Sequence, residues 1–294
     1  MEHSSLETFR RQKVAGGLCV LRQVTAHGRT IASMMRRAAE RHPGELTPYH
    51  AMLLAESEAI VGRKTEEYRL ADLIIGNSRY VRDTFVAEGV EPERIVYVPT
   101  GCPPLTETTA RAGRGQGPLR FLFVGTLSLR KGVLELLDAW RQIGPQPHAD
   151  LWMAGPPEID VDRALAGTRG VTYFGNVPRA RLTQLYLDAD VFVLPTFAEG
   201  LSHALLEALS AGLPVVTTPA SGCGEFLDHE RNGLLLSSDE PEEVASAMRW
   251  CLAHRSELPD MGTRSRAVAA RWTVEHSNQA HLALIRIFLE SKAG

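Results

Sequence analysis

The chain has 294 residues, of which 44% are hydrophobic and 23% are charged, and its formal net charge at pH 7 is −3. This composition is that of an ordinary globular protein, and a nearly balanced charge excludes the strongly basic surface typical of nucleic-acid binding. Its four cysteines are far apart and form no CxxC pair, which argues against a zinc cluster or a disulfide framework and predicts a cytoplasmic protein.

The first hundred residues predict a small α/β unit. Short apolar runs predict strands at 18–21, 73–76 and 95–99. Helical patterns cover 28–42, 49–71 and 78–89. Ser78 is suited to cap the third of these helices and Gly89 to end it. Because three strands are few for an independent α/β domain, we expect residues 1–103 to be an incomplete N-terminal domain that lacks part of its front end.

A segment rich in glycine and proline follows at 104–118, with few apolar residues. Such a composition is typical of a linker and predicts a domain boundary there.

From residue 119 onward, short apolar runs alternate with amphipathic helical patterns. The predicted strands are 119–124, 149–154, 171–174, 191–195, 213–217 and 234–236. The clearest helices between them are 133–143, 179–189 and 202–211. Most of these strands are continuously apolar, as strands covered on both faces are. We therefore predict a doubly wound, Rossmann-like parallel sheet in a C-terminal domain at 119–270, followed by a helix at 271–294.

The loop after the predicted strand 191–195 carries two acidic residues on either side of a helix start. Glu199 lies in the loop, Gly200 follows it, and Glu207 lies within the helix that begins near Ser202. A strand–loop–helix junction offers backbone N–H groups and the positive end of the helix dipole to a phosphate. The alternative interpretation is an ordinary loop glutamate and a glutamate on the helix surface.

A second cluster follows the predicted strand 119–124. There Arg130 and Lys131 stand side by side between Gly125 and Gly132. Two cations at the carboxyl end of a strand suit a diphosphate, whereas the alternative is a solvated basic turn. Both clusters are expected at the same edge of one sheet, where open α/β sheets bind their ligands.

These segments resemble the C-terminal domain of the retaining glycosyltransferases of family 4, which have the GT-B fold. The resemblance rests on FVGTLSLRKG, VTYFGNVPRARLTQLYLDADVFVLPT and FAEGLSHALLEALSAGLPVVTT, in which Glu199 and Glu207 have the family's E-x7-E spacing. Upstream, ADLIIGNSRYVRDTFVAEGV and RIVYVPTGC are similar to the end of the family's N-terminal domain. The segment 272–289 resembles the family's helix that returns to that domain.

The resemblance implies a role for each matching position. Glu207 is expected to bind the nucleotide ribose, Glu199 the donor sugar and Lys131 the diphosphate. Thr126 stands where the family often has arginine, and Arg130 is a candidate for the missing charge. His27 resembles a histidine that faces the interdomain cleft, and it joins Glu199, Lys131 and Arg130 as a candidate catalytic residue. The implied donor-binding residues are Gly125, Thr126, Arg130, Lys131, Val177, Glu199, Gly200, Leu201, Ser202 and Glu207.

The function implied is transfer of a sugar from a nucleoside-diphosphate sugar to an acceptor, with retention of configuration and without a metal or other cofactor. The acceptor is left open as a saccharide, a lipid-linked molecule or a small molecule. The alternatives are a truncated or non-catalytic nucleotide-sugar-binding protein, or a GT-B epimerase or phosphorylase. Asp188 and Asp190 imitate a DxD metal motif but precede their strand. The segment 31–37 suits either peripheral contact with the inner face of a membrane or packing against the N-terminal sheet.

Overall fold

The computed structural model of the chain describes residues 5–46, 48–104, 117–144 and 148–293. Within these residues the strands form two separate sheets, and all strand pairs are parallel. The first sheet contains β1 (Val20–Gln23), β2 (Leu73–Gly76) and β3 (Ile95–Tyr97). The second contains β4 (Leu119–Val124), β5 (Ala149–Ala154), β6 (Val171–Tyr173), β7 (Val191–Leu194), β8 (Val215–Thr217) and β9 (Gly233–Leu235).

The second sheet has the strand order β6-β5-β4-β7-β8-β9. Its first strand, β4, lies in the middle, and the chain winds outward from β4 in one direction and then from β7 in the other. This is the doubly wound order, and its switch point is the crevice between the carboxyl ends of β4 and β7. The predicted α/β fold with parallel strands is therefore confirmed, and both motifs identified in the sequence follow the two strands at the switch point.

Helices cover the sheets. They are α1 (Ser5–Val14), α2 (Gly28–Arg41), α3 (Pro48–Ala55), α4 (Ser57–Leu70), α5 (Arg79–Ala87), α6 (Val133–Ile143), α7 (Val161–Leu165), α8 (Arg179–Asp188), α9 (His203–Ser210), α10 (Pro241–Ala253), α11 (Leu258–Arg271) and α12 (Val274–Ala293). A large apolar core joins β4–β9 to their helices, and fully buried Phe121, Phe192 and Tyr186 are among its bulkiest side chains. Each continuously apolar strand thus buries both faces, as the sequence pattern indicates.

The N-terminal sheet is covered by helices from both ends of the chain. On one face, Ile74 and Ile95 pack with Tyr68 of α4 and Phe85 of α5. On the other face, an apolar group of Leu73, Ile75 and Val98 is in contact with α12 through Ala280, Leu284, Ile285 and Phe288. The last helix of the chain therefore packs against the first sheet.

Several element boundaries differ from the sequence predictions. The first strand begins two residues later than predicted, because the Cys19 amide donates to the Asp72 carboxylate rather than to a neighbouring strand. The predicted helix 49–71 is interrupted at Glu56 and forms α3 and α4. Helix α1 was not predicted, since only Leu6 and Phe9 of its ten residues are buried and its apolar pattern is weak. The short helix α7 was not predicted either.

Helix α2 contains the segment 31–37, for which the sequence left membrane contact and packing against the N-terminal sheet as alternatives. It lies against α4 and against the turn Leu129–Lys131 of the other half of the chain, and Met34 is in contact with the large C-terminal core. Most of the predicted linker, at 105–116, lies outside the described residues. Among the residues that are described, no helix combines the length and apolar character needed to span a membrane.

Candidate functional site at the sheet switch point

The loops after β4 and β7 lie against each other, and Gly132 makes this approach possible. Gly132 has a left-handed backbone with φ of 69°, and a Cβ added there would lie 2.1 Å from the carbonyl oxygen of Pro195. Only glycine combines that conformation with such a close backbone contact. The carbonyl oxygen of Arg130 accepts hydrogen bonds from the Phe197 amide at 3.0 Å and from the Thr196 hydroxyl at 2.9 Å. The two motifs therefore form one structural unit.

Glu199 joins the two cations of the first motif. Its Oε1 atom accepts from the Arg130 Nη1 atom at 2.5 Å and lies 2.6 Å from the Lys131 ammonium. Arg130 also donates to the carbonyl oxygen of Ala198 at 2.8 Å. The residues expected to meet the donor sugar and the donor diphosphate are thus already in contact. A diphosphate bound here would share the two cations with Glu199.

Lys131 is the more enclosed of the two cations. Lys131 is buried. Burial lowers the pKa of its ammonium, and the neighbouring Glu199 carboxylate acts in the opposite direction by raising that pKa. Its side chain runs under Gly125, where an added Cβ would lie 3.9 Å from the ammonium nitrogen. Arg130, whose side chain is 37% exposed, is the cation that is open to solvent. The pair therefore combines an enclosed positive charge with a more exposed one.

The backbone from Glu199 to Ser202 is less available than the sequence suggests. The amides of Glu199 and Ser202 donate to the carbonyl oxygens of Ala220 and Ser221, both at 3.0 Å. The Ser202 hydroxyl caps α9 by accepting from the Leu205 amide at 3.4 Å. The Glu199 and Ser202 amides are consequently already used, and the start of α9 stays the place where N–H groups and the helix dipole favour an anion. The buried Leu201 packs into the core instead of lining an open surface.

Gly200 forms a contact between the two halves of the chain. Its carbonyl oxygen accepts from the Ser78 hydroxyl at 2.5 Å, and an added Cβ would lie 1.8 Å from the Val24 carbonyl oxygen. The same Ser78 hydroxyl caps α5 by accepting from the Val81 amide at 3.2 Å. The sequence identified Ser78 as a cap, and the structure places it at the cleft as well.

Glu207 lies on α9 with its side chain 13% exposed, and Arg179 at the first position of α8 donates to its Oε1 atom. The sequence analysis did not identify Arg179. The two residues are 28 positions apart, and no local pattern relates them.

Three further predicted residues occupy separate positions. Val177 packs against the edge of the large core, and Thr126 lies half-buried in the loop after β4. His27 is buried and caps α2, because its Nδ1 atom accepts from the Arg29 amide at 3.2 Å. Burial lowers the pKa of His27 to about 4, so the ring is neutral at ordinary pH. Its ring packs beside Phe85. These contacts give His27 a structural role as a helix cap. A catalytic role for His27 stays a prediction.

A second contact between the two halves surrounds Glu135, which follows the Lys131 turn on α6. Glu135 is fully buried. Its Oε1 atom accepts from His42 Nε2 at 2.7 Å and from Arg41 at 3.3 Å. Arg41 also pairs with Asp239 at 3.0 Å and with Glu240 at 2.6 Å. The end of α2 is therefore fastened next to the cationic turn.

The two acidic residues that imitate a metal motif lie away from this crevice. Asp190 accepts from the Arg120 amide at 2.9 Å, close to the start of β4. The Asp188 carbonyl oxygen lies 3.4 Å from the Arg120 guanidinium. Both residues precede β7 and so belong to the amino-terminal edge of the sheet, opposite the switch point.

The comparison with known proteins agrees with this geometry. Residues 118–254 match the family model described as glycosyl transferases group 1. An uncharacterized glycosyltransferase of Methanocaldococcus jannaschii is 34% identical over 129 residues, which are 42% of this chain and 33% of that protein. The amylovoran biosynthesis glycosyltransferase AmsK of Erwinia amylovora is 25% identical over 86% of this chain and 65% of its own length. The chain thus spans between a third and two thirds of these relatives.

Among solved structures, Anabaena HepE in complex with UDP-glucose superposes with a TM-score of 0.69. The match covers 97% of this chain and 76% of HepE at 18% identity, a likeness that concerns the fold. Residues 118–254 therefore match the glycosyl transferases group 1 family, within a chain whose described fold is of the GT-B type.

Proposed function

We propose that the chain is a glycosyltransferase that moves a sugar from a nucleoside-diphosphate sugar to an acceptor. The observation that carries the proposal is the contact of Glu199 with Arg130 and Lys131 at the switch point of a doubly wound sheet. Fixed cations beside a helix N-terminus form a site for a diphosphate. The group 1 match over 118–254 supports glycosyl transfer, and the UDP-glucose complex of the structurally similar HepE supports a nucleoside-diphosphate sugar as donor.

The proposed reaction breaks the bond between the sugar's anomeric carbon and the diphosphate oxygen, and the electron pair leaves with the diphosphate. The acceptor oxygen bonds to the anomeric carbon, and its proton passes to an oxygen of the departing diphosphate. Arg130, Lys131 and the first turn of α9 stabilise the negative charge that grows on the departing diphosphate. Because these groups supply the positive charge, we propose that transfer needs no metal. Retention of configuration is proposed from the family resemblance of Glu199 and Glu207.

Donor binding is tested first, with UDP-, GDP- and ADP-sugars in a thermal-shift assay. A ligand present at 100 times its dissociation constant stabilises the folded protein by about 2.7 kcal/mol, and one donor class is expected to do so. A panel in which no nucleotide sugar raises the unfolding temperature would contradict the proposal.

Transfer is tested with that donor by measuring release of the nucleoside diphosphate, with saccharide, lipid-linked and small-molecule acceptors. Glu199→Gln is expected to abolish release without weakening the binding of the nucleoside diphosphate, since the substitution keeps the shape, removes the charge beside the sugar and leaves both cations to the diphosphate. The matched control is Glu230→Gln, an exposed glutamate of the turn before β9. Tight donor binding without release in the wild-type protein would favour a nucleotide-sugar-binding protein instead.

A further inference from the structure

The ion pair between Glu207 and Arg179 adds little to the stability of α8, the helix that carries Arg179. Arg179 is the first residue of α8, which has no acidic residue in its first turn. A cation at a helix N-terminus opposes the helix dipole. The Arg179 side chain is 60% exposed, and ion pairs with such an exposed partner add little to stability. The position of Arg179 therefore calls for a reason other than the stability of α8.

Tyr186 contacts α9, the helix that carries Glu207, from the protein interior. It lies on the same helix as Arg179 and is buried in the large core. Its hydroxyl donates to the Ala204 carbonyl oxygen at 3.2 Å, one turn before Glu207 on α9. Burial, together with the nearby Glu207 carboxylate, raises the pKa of the Tyr186 phenol well above its ordinary range. Helix α8 thus pairs with Glu207 through Arg179 and fixes the preceding turn of α9 through Tyr186.

We propose that α8 is a positioning element for nucleotide recognition, in which Arg179 holds the Glu207 carboxylate, and Tyr186 the turn of α9 before it, in the orientation that binds the ribose hydroxyls. This inference rests on the proposed function, which assigns the ribose to Glu207. Arg179 occupies the Oε1 atom, so the other carboxylate oxygen is left to accept from a ribose hydroxyl. The guanidinium also offsets the charge of Glu207, which would otherwise repel a diphosphate bound nearby.

The test compares UDP with 2′,3′-dideoxy-UDP, which has no ribose hydroxyls, by calorimetry. Arg179→Ala is expected to weaken UDP binding about tenfold, as loss of an oriented hydrogen bond to a charged group does, and to leave dideoxy-UDP binding unchanged. Arg179→Lys is expected to restore part of the loss because it returns one donor. Tyr186→Phe is expected to weaken UDP selectively in the same way.

Arg181→Ala is the matched control. Arg181 lies two residues further along α8, with its guanidinium 5.5 Å from the Phe174 ring centre, and its substitution is expected to leave both affinities unchanged. Thermal unfolding of each variant shows whether it is folded.

The proposal is overturned if Arg179→Ala weakens both ligands equally or neither, while wild-type protein still prefers UDP to its dideoxy analogue. That outcome leaves the proposed function standing. Wild-type protein that binds both ligands equally would overturn the ribose role of Glu207 and with it the positioning role of α8.

Discussion

Replacing Gly200 with alanine is expected to separate the two halves of the chain at the cleft. The new Cβ would lie 1.8 Å from the Val24 carbonyl oxygen and 2.7 Å from the Asn77 amide oxygen. Widening the first distance to the 3.4 Å of an ordinary contact requires a displacement of about 1.6 Å. Backbone atoms on both sides resist that change, since neither can rotate away as a flexible side chain would.

The displacement also breaks the 2.5 Å hydrogen bond from the Ser78 hydroxyl to the Gly200 carbonyl oxygen. A buried polar group that loses its partner costs about 1–3 kcal/mol. Hydrogen–deuterium exchange should therefore accelerate roughly 5- to 150-fold in peptides covering 76–82 and 197–202, where opening of this contact controls exchange. Sugar transfer should fall with it, because an interdomain cleft must close around its substrates.

Gly224→Ala is the matched control, because a Cβ there meets no atom within 4 Å. It should leave exchange in both peptides unchanged. If Gly200→Ala exchanges at the wild-type rate in these peptides, the two halves are not in contact at Gly200 in solution and the reasoning fails.

Other expectations follow from the charged groups of the site. Lys131→Ala should weaken UDP binding at least tenfold and uridine binding little, since a buried ammonium meets the phosphates; equal losses in calorimetry, or a similar loss in the exposed control Lys292→Ala, would contradict this. EDTA should leave donor binding and transfer unchanged, and restoration of a lost activity by magnesium or manganese would refute that. The hydrogen bond to Glu135 raises the pKa of His42 above its ordinary value of 6.5. The stability that the charged pair contributes is therefore fully present below pH 6.5 and is lost as pH rises through the raised pKa. After division by the intrinsic exchange rate at each pH, exchange at 38–46 should accelerate over that interval in wild-type protein but not in Glu135→Gln. An unchanged profile in this variant would exclude the pair as the cause.

The strands of the second sheet could be predicted because burial on both faces leaves a local signature. Thus 119–124 and 149–154 are apolar except for Arg120 and Asp150, and the structure has β4 and β5 at these bounds. The α1 helix left no comparable signature, because it buries only Leu6 and Phe9. Periodicity reports how many residues face a core, so short or shallowly packed elements escape it.

The sequence predicted which residues lie at the site, but it did not predict which of them are in contact. The order of strands and motifs indicated that Glu199 and Lys131 would share one sheet edge. Their 2.6 Å contact, and the pairing of Glu207 with Arg179, depend on how loops and helices from distant segments meet. Nothing local to either partner encodes such a distance.

The packing of α12 on the N-terminal sheet has a consequence for biosynthesis. One apolar face of that sheet, formed by Leu73, Ile75 and Val98, is covered by residues 280–288. Those residues are made roughly 180 positions later, a delay of ~10–40 s at a translation rate of ~5–20 residues per second. Throughout that interval the nascent sheet presents an uncovered apolar face. The half of the protein that is synthesised first is therefore the half that finishes folding last, and its yield in the cell should depend on chaperones that bind exposed apolar segments.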